Sequence, residues 1–226
     1  VFAVSQWLGR ASTFPEAVQD VAATLGVHLP GNVAHGQQRP TKAPQRPAKQ
    51  PEPPFVLSDA DRETVRAARL AFSDALHAGE PIIDEIAASL GLDRETLRFA
   101  SWGSSGLGLA CPVGSKSPWL CHTYPQGLKW RNPHAKSTPR FRWIVGKAVA
   151  PWRMEWVKLE TRTVYLTEGE SDCMALIAAG LEADGTAACV ASPGTSFPRD
   201  WAPLFRGKRV VICFDTDPPG RVATAT

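Results

Sequence analysis

The stretch "VYLTEGESD", which runs from Val164 to Asp172, changes its character in the middle. A β-branched and aromatic run is followed directly by EGESD, which begins at Glu168. The first half is typical of a buried strand, and the second half places three carboxylates and a glycine where that strand ends. Such a change indicates either the capped start of a helix or a binding site at the end of the strand.

The pattern from residue 163 onward alternates between strands and helices. Strands are predicted at 163–167, 187–192 and 209–214, and helices at 171–181 and about 198–205. Alternation of this kind is typical of a parallel α/β sheet whose strands are joined by crossover helices. We therefore predict an α/β domain at 161–226, preceded by a smaller mixed α+β subdomain.

A second acidic turn, which begins at Asp215 and reads DTDP, follows the strand at 209–214. Residues i and i+2 of an extended segment point the same way, and Pro218 favours an extended Asp217, so Asp215 and Asp217 present their carboxylates to one side. Ligands of open α/β sheets gather at the carboxyl ends of the strands. Glu168, at the end of an adjacent strand, is then expected to meet both aspartates.

Three carboxylates held together repel one another unless a cation lies between them. A set of hard oxygen ligands suits Mg²⁺ or Mn²⁺, and Asp172, which opens the following helix, would orient these ligands from behind. Each motif taken alone is equally compatible with helix capping or with a turn. The two motifs in this order, each directly after a strand, favour the metal site.

The segment EGESD after one strand, followed by FDTD and a later glycine after another, resembles the toprim fold of bacterial (DnaG-like) primases, type IA and II topoisomerases, RecR-like repair proteins and OLD-type nucleases. The resemblance covers about residues 160–226. It implies that Glu168, Asp215 and Asp217 are catalytic and bind Mg²⁺ or Mn²⁺, with Asp172 as a supporting residue of the metal site. Toprim primases carry a further acidic segment, which implies that the domain at 161–226 is incomplete.

Residues 127–158 are strongly basic and rich in tryptophan. They contain eight Lys or Arg against one acid, Glu155, and four tryptophans and Phe141 are interleaved. Cations neutralise phosphates, and aromatic faces stack on unpaired bases. In RFRW at 140–143 the alternation predicts basic side chains on one face and aromatic side chains on the other. The segment GLKWRN at 127–132 also resembles the K-x-x-N segment that lies along the template strand in primases. The residues predicted to bind nucleic acid are Lys129, Arg131, Asn132, Lys136, Arg140 and Arg142.

Residues 58–160 are predicted to form the mixed α+β subdomain. Ser58 resembles a helix start, and an apolar stripe at helical spacing continues until Gly79. Further helices are predicted at about 82–90 and after Asp93. Between 101 and 158, period-two hydrophobicity with frequent glycine and proline predicts a small antiparallel sheet. The segment 82–110 resembles the N-terminal part of a primase polymerase core.

The first 57 residues are interpreted as a helical piece and a linker. Residues 1–29 are predicted to be a helical remnant of a zinc-binding domain, in which 14–27 are similar to the helix that ends such a domain in primases, and 30–57 form a proline-rich linker. Zn²⁺ is accordingly expected only in a domain upstream of Val1, and we expect the sequence to be a fragment. Cys111, Cys121 and His122 lack a fourth ligand, which favours ordinary strand packing over metal binding.

The bulk composition excludes several classes of protein. The five cysteines are odd in number and form no CxxC pair, which argues against a disulfide framework and against a complete zinc site. No apolar run reaches the roughly 18 residues that a membrane span requires. The net charge of +3 carries little information about partners. We expect a cytoplasmic protein without a membrane partner.

These observations favour a bacterial or phage DNA primase, which synthesises short RNA primers on single-stranded DNA by Mg²⁺-dependent nucleotidyl transfer. Its partners would be the single-stranded template, ribonucleoside triphosphates and a replicative helicase. An OLD-like nuclease is one alternative, although no G-x-x-x-x-G-K-[ST] loop is present. A non-catalytic DNA-binding module is another, because 82–99 has the spacing of a helix-turn-helix; Asp93 and Glu95 are unfavourable there for a phosphate surface.

Overall fold

The structure is a computed structural model that describes residues 55–112, 117–134, 139–194 and 197–216, together with Gly220, Arg221 and Thr224. The described residues belong to one compact unit between Phe55 and Thr224. The helical piece predicted at 1–29 and nearly all of the linker predicted at 30–57 lie outside them. The predicted fold class is confirmed, because a parallel α/β sheet is preceded by helices and an antiparallel sheet.

Three helices open the described part of the chain: α1 (Asp59–Ala78), α2 (Pro81–Leu90) and α3 (Arg94–Ala100). The Ser58 hydroxyl accepts a hydrogen bond from the Asp61 N–H, which caps α1 where the sequence predicted. Gly79 ends the helix with a φ of 72°, in the left-handed region that favours glycine. No helix among the described residues has the length and apolar content to cross a bilayer.

The predicted antiparallel sheet is confirmed and contains four strands in the order β1-β2-β3-β4. Its strands are β1 (Gly106–Ala110), β2 (Trp119–Tyr124), β3 (Gly127–Arg131) and β4 (Phe141–Gly146). On one face, Cys121, Leu128 and Trp130 pack with Ala68 of α1. Because successive side chains of a strand alternate, the other face carries polar residues of β2 and β3, which point at the second sheet.

The second sheet is parallel and has the order β6-β5-β7, so that β5 lies in the centre. Its strands are β5 (Thr163–Thr167), β6 (Ala187–Ala191) and β7 (Arg209–Cys213), and α4 (Glu170–Ala178) connects β5 to β6. Val164, Leu166, Val190 and Phe205 form one buried cluster of this sheet. The alternation of strand and helix predicted from residue 163 onward is therefore present.

Two connections differ from the sequence prediction. The helix α4 ends at Ala178 instead of 181, and Gly180 then adopts a φ of 81°. The helix predicted at 198–205 is a 3₁₀ helix, Arg199–Phe205. Pro203 explains this difference, because it has no backbone N–H to donate to the carbonyl four residues earlier.

Trp152 and Arg153 are both fully buried and connect the antiparallel sheet to the parallel one. The backbone N–H of Trp152 donates to the Ala191 carbonyl at 2.8 Å, and the backbone N–H of Ala191 donates to the Trp152 carbonyl at 3.2 Å. The Arg153 guanidinium donates to both carboxylate oxygens of Glu182, at 2.8 and 3.1 Å. These contacts hold the first sheet against the carboxyl end of β6.

Candidate active site

The carboxyl ends of β5 and β7 lie side by side, as the sequence predicted. The two strands are parallel neighbours, with Thr167 opposite Cys213. Glu168 directly follows Thr167 and is half-buried, whereas Asp215 comes two residues after Cys213 and is exposed. Both acids therefore lie at the same edge of the sheet.

Asp172 lies at this edge too, in the first turn of α4. Its carboxylate lies close to Gly169, the residue that directly precedes the helix. A Cβ atom at position 169 would lie 3.0 Å from Asp172 Oδ2, which is one reason for the glycine. Partial loss of hydration and the negative charge of Asp215 raise the pKa of Asp172. We call Glu168, Asp172 and Asp215 the carboxylate edge.

The donor chemistry of the carboxylate edge fits a divalent cation such as Mg²⁺, because hard oxygen ligands are the ones that this ion prefers. The raised pKa of Asp172 comes first from its partial burial and then from the negative charge of Asp215, which a bound cation would offset. Across the described ranges, no group of three or more His, Cys, Asp or Glu side chains is arranged to hold a metal ion. Asp217 lies outside those ranges, so a ligand set of Glu168, Asp215 and Asp217 stays a prediction.

Glu170, two residues after Glu168, occupies a completely different environment. Its side chain is fully buried, and the Tyr124 hydroxyl donates a hydrogen bond to Oε1. The Lys129 ammonium group lies 2.9 Å from Oε1 and 3.0 Å from Oε2. His122 Nδ1 lies 3.9 Å from Oε2. We call Tyr124, His122, Lys129 and Glu170 the buried charge cluster.

Protonation in the buried charge cluster follows from burial and from these contacts. Burial by itself would raise the pKa of Glu170, but the charges of His122 and Lys129 and the hydrogen bond from Tyr124 outweigh it and lower that pKa to about 2. Burial lowers the pKa of His122 to about 4, so its imidazole is neutral at pH 7 and makes no ion pair there. Burial and the charge of Glu170 raise the pKa of Tyr124.

Lys129 lies in a different place from the one predicted. Its side chain is only 6% exposed, and its ammonium group also donates to the Pro193 carbonyl at 3.0 Å. An ammonium group has three N–H donors, and here they have three acceptors inside the protein. A contact of Lys129 with a template strand stays a prediction, and the ammonium group itself is directed into the protein.

The other residues predicted to bind nucleic acid are spread over two faces of the antiparallel sheet. Arg140 and Arg142 are exposed and Phe141 and Trp143 are half-buried, but Arg140 lies beside the Phe141 ring and so does not share a face with Arg142. Arg142 is paired with Trp130 in the ladder of β3 and β4, which places it on the face opposite Phe141. Asn132 is half-buried, and Lys136 lies outside the described residues.

Arg131 links the basic sheet to the carboxylate edge. Its guanidinium donates a hydrogen bond to the Ser171 hydroxyl, which belongs to the first turn of α4. Burial and the neighbouring charge of Arg140 lower the pKa of Arg131. The Phe141 ring lies beside this group, with the Arg140 and Arg131 guanidinium carbons 5.5 and 5.8 Å from its centroid. Cations and an aromatic face thus lie next to the acids.

The sequence predicts no functional role for Glu170, and it favours ordinary strand packing for His122. The alternation in β3 is the one feature of the sequence that could have indicated the position of Lys129. Leu128 and Trp130 point at α1, so Lys129 and Arg131 point to the opposite face of the strand. If both faces of this strand are covered by other elements, a lysine on it is buried and has to be paired with a carboxylate inside the protein.

The cysteine and histidine set considered for zinc does not form a site. Cys121 packs on the α1 face, whereas His122 points at Glu170 on the other face. Burial raises the pKa of Cys121 to about 12, which disfavours its thiolate. Ordinary strand packing accounts for both residues.

The fold and the edge together define a class: a parallel α/β domain with acids at the ends of adjacent strands. Residues 165–226 match the family described as Toprim-like, and a Toprim-like domain is therefore present there. Toprim domains bind Mg²⁺ and occur in enzymes that act on nucleic acids, primases among them. No curated protein and no solved structure matches the chain.

Proposed function

We propose that the protein is a DNA primase, which uses Mg²⁺ to synthesise short RNA primers on single-stranded DNA. The observation that carries the proposal is the position of the carboxylate edge at neighbouring parallel strand ends, with Arg131 and Phe141 of the other sheet beside it. A polymerase needs its metal site and its template-binding surface close together, because the template and the metal must meet at the growing primer end.

The chemistry follows from the donor set of the carboxylate edge. When bound, Mg²⁺ would offset the charge of a ribonucleoside triphosphate and favour ionisation of the primer 3′-hydroxyl. Glu168, Asp215 and Asp217 would hold the ion, and Asp172 would orient this shell. Attack of the 3′-oxygen on the α-phosphorus forms the new phosphodiester bond as the bond to the β-phosphate breaks and pyrophosphate leaves.

Arg131 and Arg140 would hold phosphates of the template or the nucleotide, and Phe141 would offer a ring face to a base. Asn132 and Lys136 belong to the same connection between β3 and β4 and would extend this surface. Arg142, on the other face of β4, would contact the template only where the strand bends around the sheet edge.

The helix-turn-helix alternative is disfavoured by the charges of α2 and α3. Arg94 forms an ion pair with Asp84 at 2.6 Å, and Arg98 forms one with Glu95 at 3.3 Å. Two arginines that are already paired add little positive potential for a phosphate backbone. The second helix of the motif has 7 residues, and its Leu97 is buried in the core.

The test is primer synthesis by the full-length protein on single-stranded DNA with ribonucleoside triphosphates and Mg²⁺. We expect template-dependent, alkali-sensitive oligomers, and a loss of roughly 10³-fold in rate in the Glu168→Gln variant, because the neutral amide is a poor ligand for the ion. The matched control is Glu160→Gln, which removes the same charge from an exposed residue before β5 and should leave the rate unchanged.

The outcomes distinguish the three functions. Shortening of labelled DNA with Mg²⁺ alone would indicate the nuclease instead. DNA binding that is the same in the wild type and in Glu168→Gln, with no product under any condition, would indicate the non-catalytic module.

A further inference from the structure

The deepest charged contact between the two sheets is the pair of Lys129 and Glu170. The lysine reaches from β3, in the antiparallel sheet, into the loops at the carboxyl end of the parallel sheet. It binds Glu170 at the start of α4 and the Pro193 carbonyl after β6, and these residues are 41 and 64 positions away along the chain. One ammonium group therefore joins three separate segments.

This contact is made directly behind the carboxylate edge. Glu170 stands between Glu168 and Asp172, and all three lie on one tight turn from β5 into α4. Fixing the Glu170 side chain from inside therefore fixes the backbone that carries Glu168 and Asp172. Pro193 lies two residues after the end of β6, the strand on the other side of β5.

A role in holding template phosphate would need a free donor on Lys129. The described contacts use the capacity of three N–H groups, and the side chain is 6% exposed. A phosphate could reach this ammonium group only by displacing Glu170 from its buried cation, which would leave a carboxylate buried without its counter-ion.

We propose that Lys129 and Glu170 are positioning residues: their buried ion pair sets the placement of Glu168 and Asp172 relative to β3, and Lys129 makes no contact with the template. The inference rests on the proposed function, because it assigns these two residues to the metal site of that function. Groups that support metal ligands from behind typically change metal affinity or activity by about 10–100-fold when they are removed.

The decisive variant is the double substitution Lys129→Met with Glu170→Gln in the full-length protein. It removes both charges at once and keeps a hydrogen-bond acceptor for Tyr124, so neither single charge is left buried alone. Mn²⁺ affinity is measured by titration of the free-ion electron paramagnetic resonance signal. We expect binding to weaken by about 10–100-fold although Glu168, Asp172 and Asp215 are intact.

The matched control is Ile86→Ala in α2. Ile86 is fully buried, so its truncation destabilises the same compact unit without touching the carboxylate edge. A thermal midpoint lowered in Ile86→Ala with unchanged Mn²⁺ affinity would separate positioning from general loss of stability. Equal Mn²⁺ affinities in the wild type and the folded double variant would overturn the proposal.

The salt dependence of binding to a single-stranded oligonucleotide tests the second half of the proposal. Each phosphate contact contributes about 0.7 to the slope of log affinity against log salt concentration for single strands. We expect the double variant to keep the wild-type slope and Arg140→Met to lower it by about 0.7. An equal loss of slope in both variants would overturn the assignment of Lys129.

Failure of the proposed function would look different. A wild-type protein that binds no Mn²⁺ would refute the metal site itself and, with it, the role of the pair. Mn²⁺ binding that weakens in the double variant, in a protein that makes no primers, would uphold the positioning role and refute only the reaction.

Discussion

Glu168 and Glu170 are two residues apart, yet they belong to regions that treat negative charge in opposite ways. In the buried charge cluster, the carboxylate of Glu170 has its cation, Lys129, inside the protein at 2.9 Å. At the carboxylate edge, partial burial and the negative charge of Asp215 together raise the pKa of Asp172. The first region has its cation inside the protein, and the second has the donor chemistry to bind one from solution.

The difference follows from where each side chain can go. A carboxylate that is closed off from water must be paired within the protein, because its burial alone is too costly. Acids at a strand end that water reaches can stay charged, and a divalent ion relieves their mutual repulsion when it binds. Removing one carboxylate should therefore lower stability much more in the buried charge cluster than at the carboxylate edge.

The largest effect is expected for Glu170→Ala. It leaves the Lys129 ammonium group buried without its carboxylate, and the free energy of unfolding should fall by about 3–5 kcal/mol. Glu168→Ala, the matched change two residues earlier, removes a source of repulsion at the edge and should cost less than about 1 kcal/mol. Urea unfolding of both variants measures this, and similar losses would remove the distinction between the two regions.

Divalent metal should act on the carboxylate edge alone. At 100 times its dissociation constant, Mg²⁺ should stabilise the protein by about 2.7 kcal/mol, which corresponds to a rise in Tm of roughly 5–10 °C for a chain of this size. Thermal unfolding with Mg²⁺ or with a chelator checks this value. Asp215→Asn should abolish the shift. Asp200→Asn, which changes an exposed acid in the 3₁₀ helix Arg199–Phe205, should keep it.

The fold could be predicted from the sequence where local chemistry decides it. The Ser58 cap, the Gly79 stop and the strand at 163–167 all depend on residues within a few positions of each other. The connection at 198–205 is the exception. An α-helix was expected there, but Pro203 lacks a backbone N–H and the segment is a 3₁₀ helix.

The carboxylate edge and the buried charge cluster also differ in how well the sequence predicts them. Glu168 and Asp215 could be placed together because parallel strands end at one edge, which is a rule of topology. The partner of Glu170 lies 41 residues away on another sheet, and the sequence contains no rule for how the two sheets pack. A lysine in a basic stretch is therefore predicted to bind phosphate, and the sequence does not indicate that Lys129 lies next to Glu170 inside the protein.

The pH dependence of the free energy of unfolding should show that His122, unlike Lys129 and Glu170, is uncharged in the folded protein at neutral pH. Its pKa is about 4 in the folded protein against a usual 6.5, so between these values the unfolded chain binds a proton that the folded one does not. Stability should thus fall as the pH is lowered through this window, by about 2 kcal/mol from pH 7 to pH 5. The charged groups that face His122 are Glu170 from α4 and Lys129 and Arg131 from β3.

The measurement is the free energy of unfolding in urea at several pH values above 4.5. Glu170 adds only a small part of the change above that limit, since its pKa is lowered from 4.5 to about 2 and its contribution is lost progressively as the pH falls through that range. His122→Gln should flatten the dependence between pH 7 and pH 5. A dependence as steep as that of the wild type would show that another group carries it.

The smallest expected effect concerns the exposed cations that face the carboxylate edge. Arg140 is exposed and lies beside Phe141, so Arg140→Ala should lower the salt slope of single-strand binding by about 0.7 and weaken affinity uniformly across sequences. Arg162→Ala is the matched control, because Arg162 directly precedes β5 and lies at the opposite end of that strand from Glu168. Fluorescence anisotropy of a labelled oligonucleotide at several salt concentrations checks both. If Arg162→Ala changed the slope as much as Arg140→Ala, the nucleic acid would be bound by the overall charge of the protein. The end of the sheet that carries Glu168 would then not be a specific binding site for it.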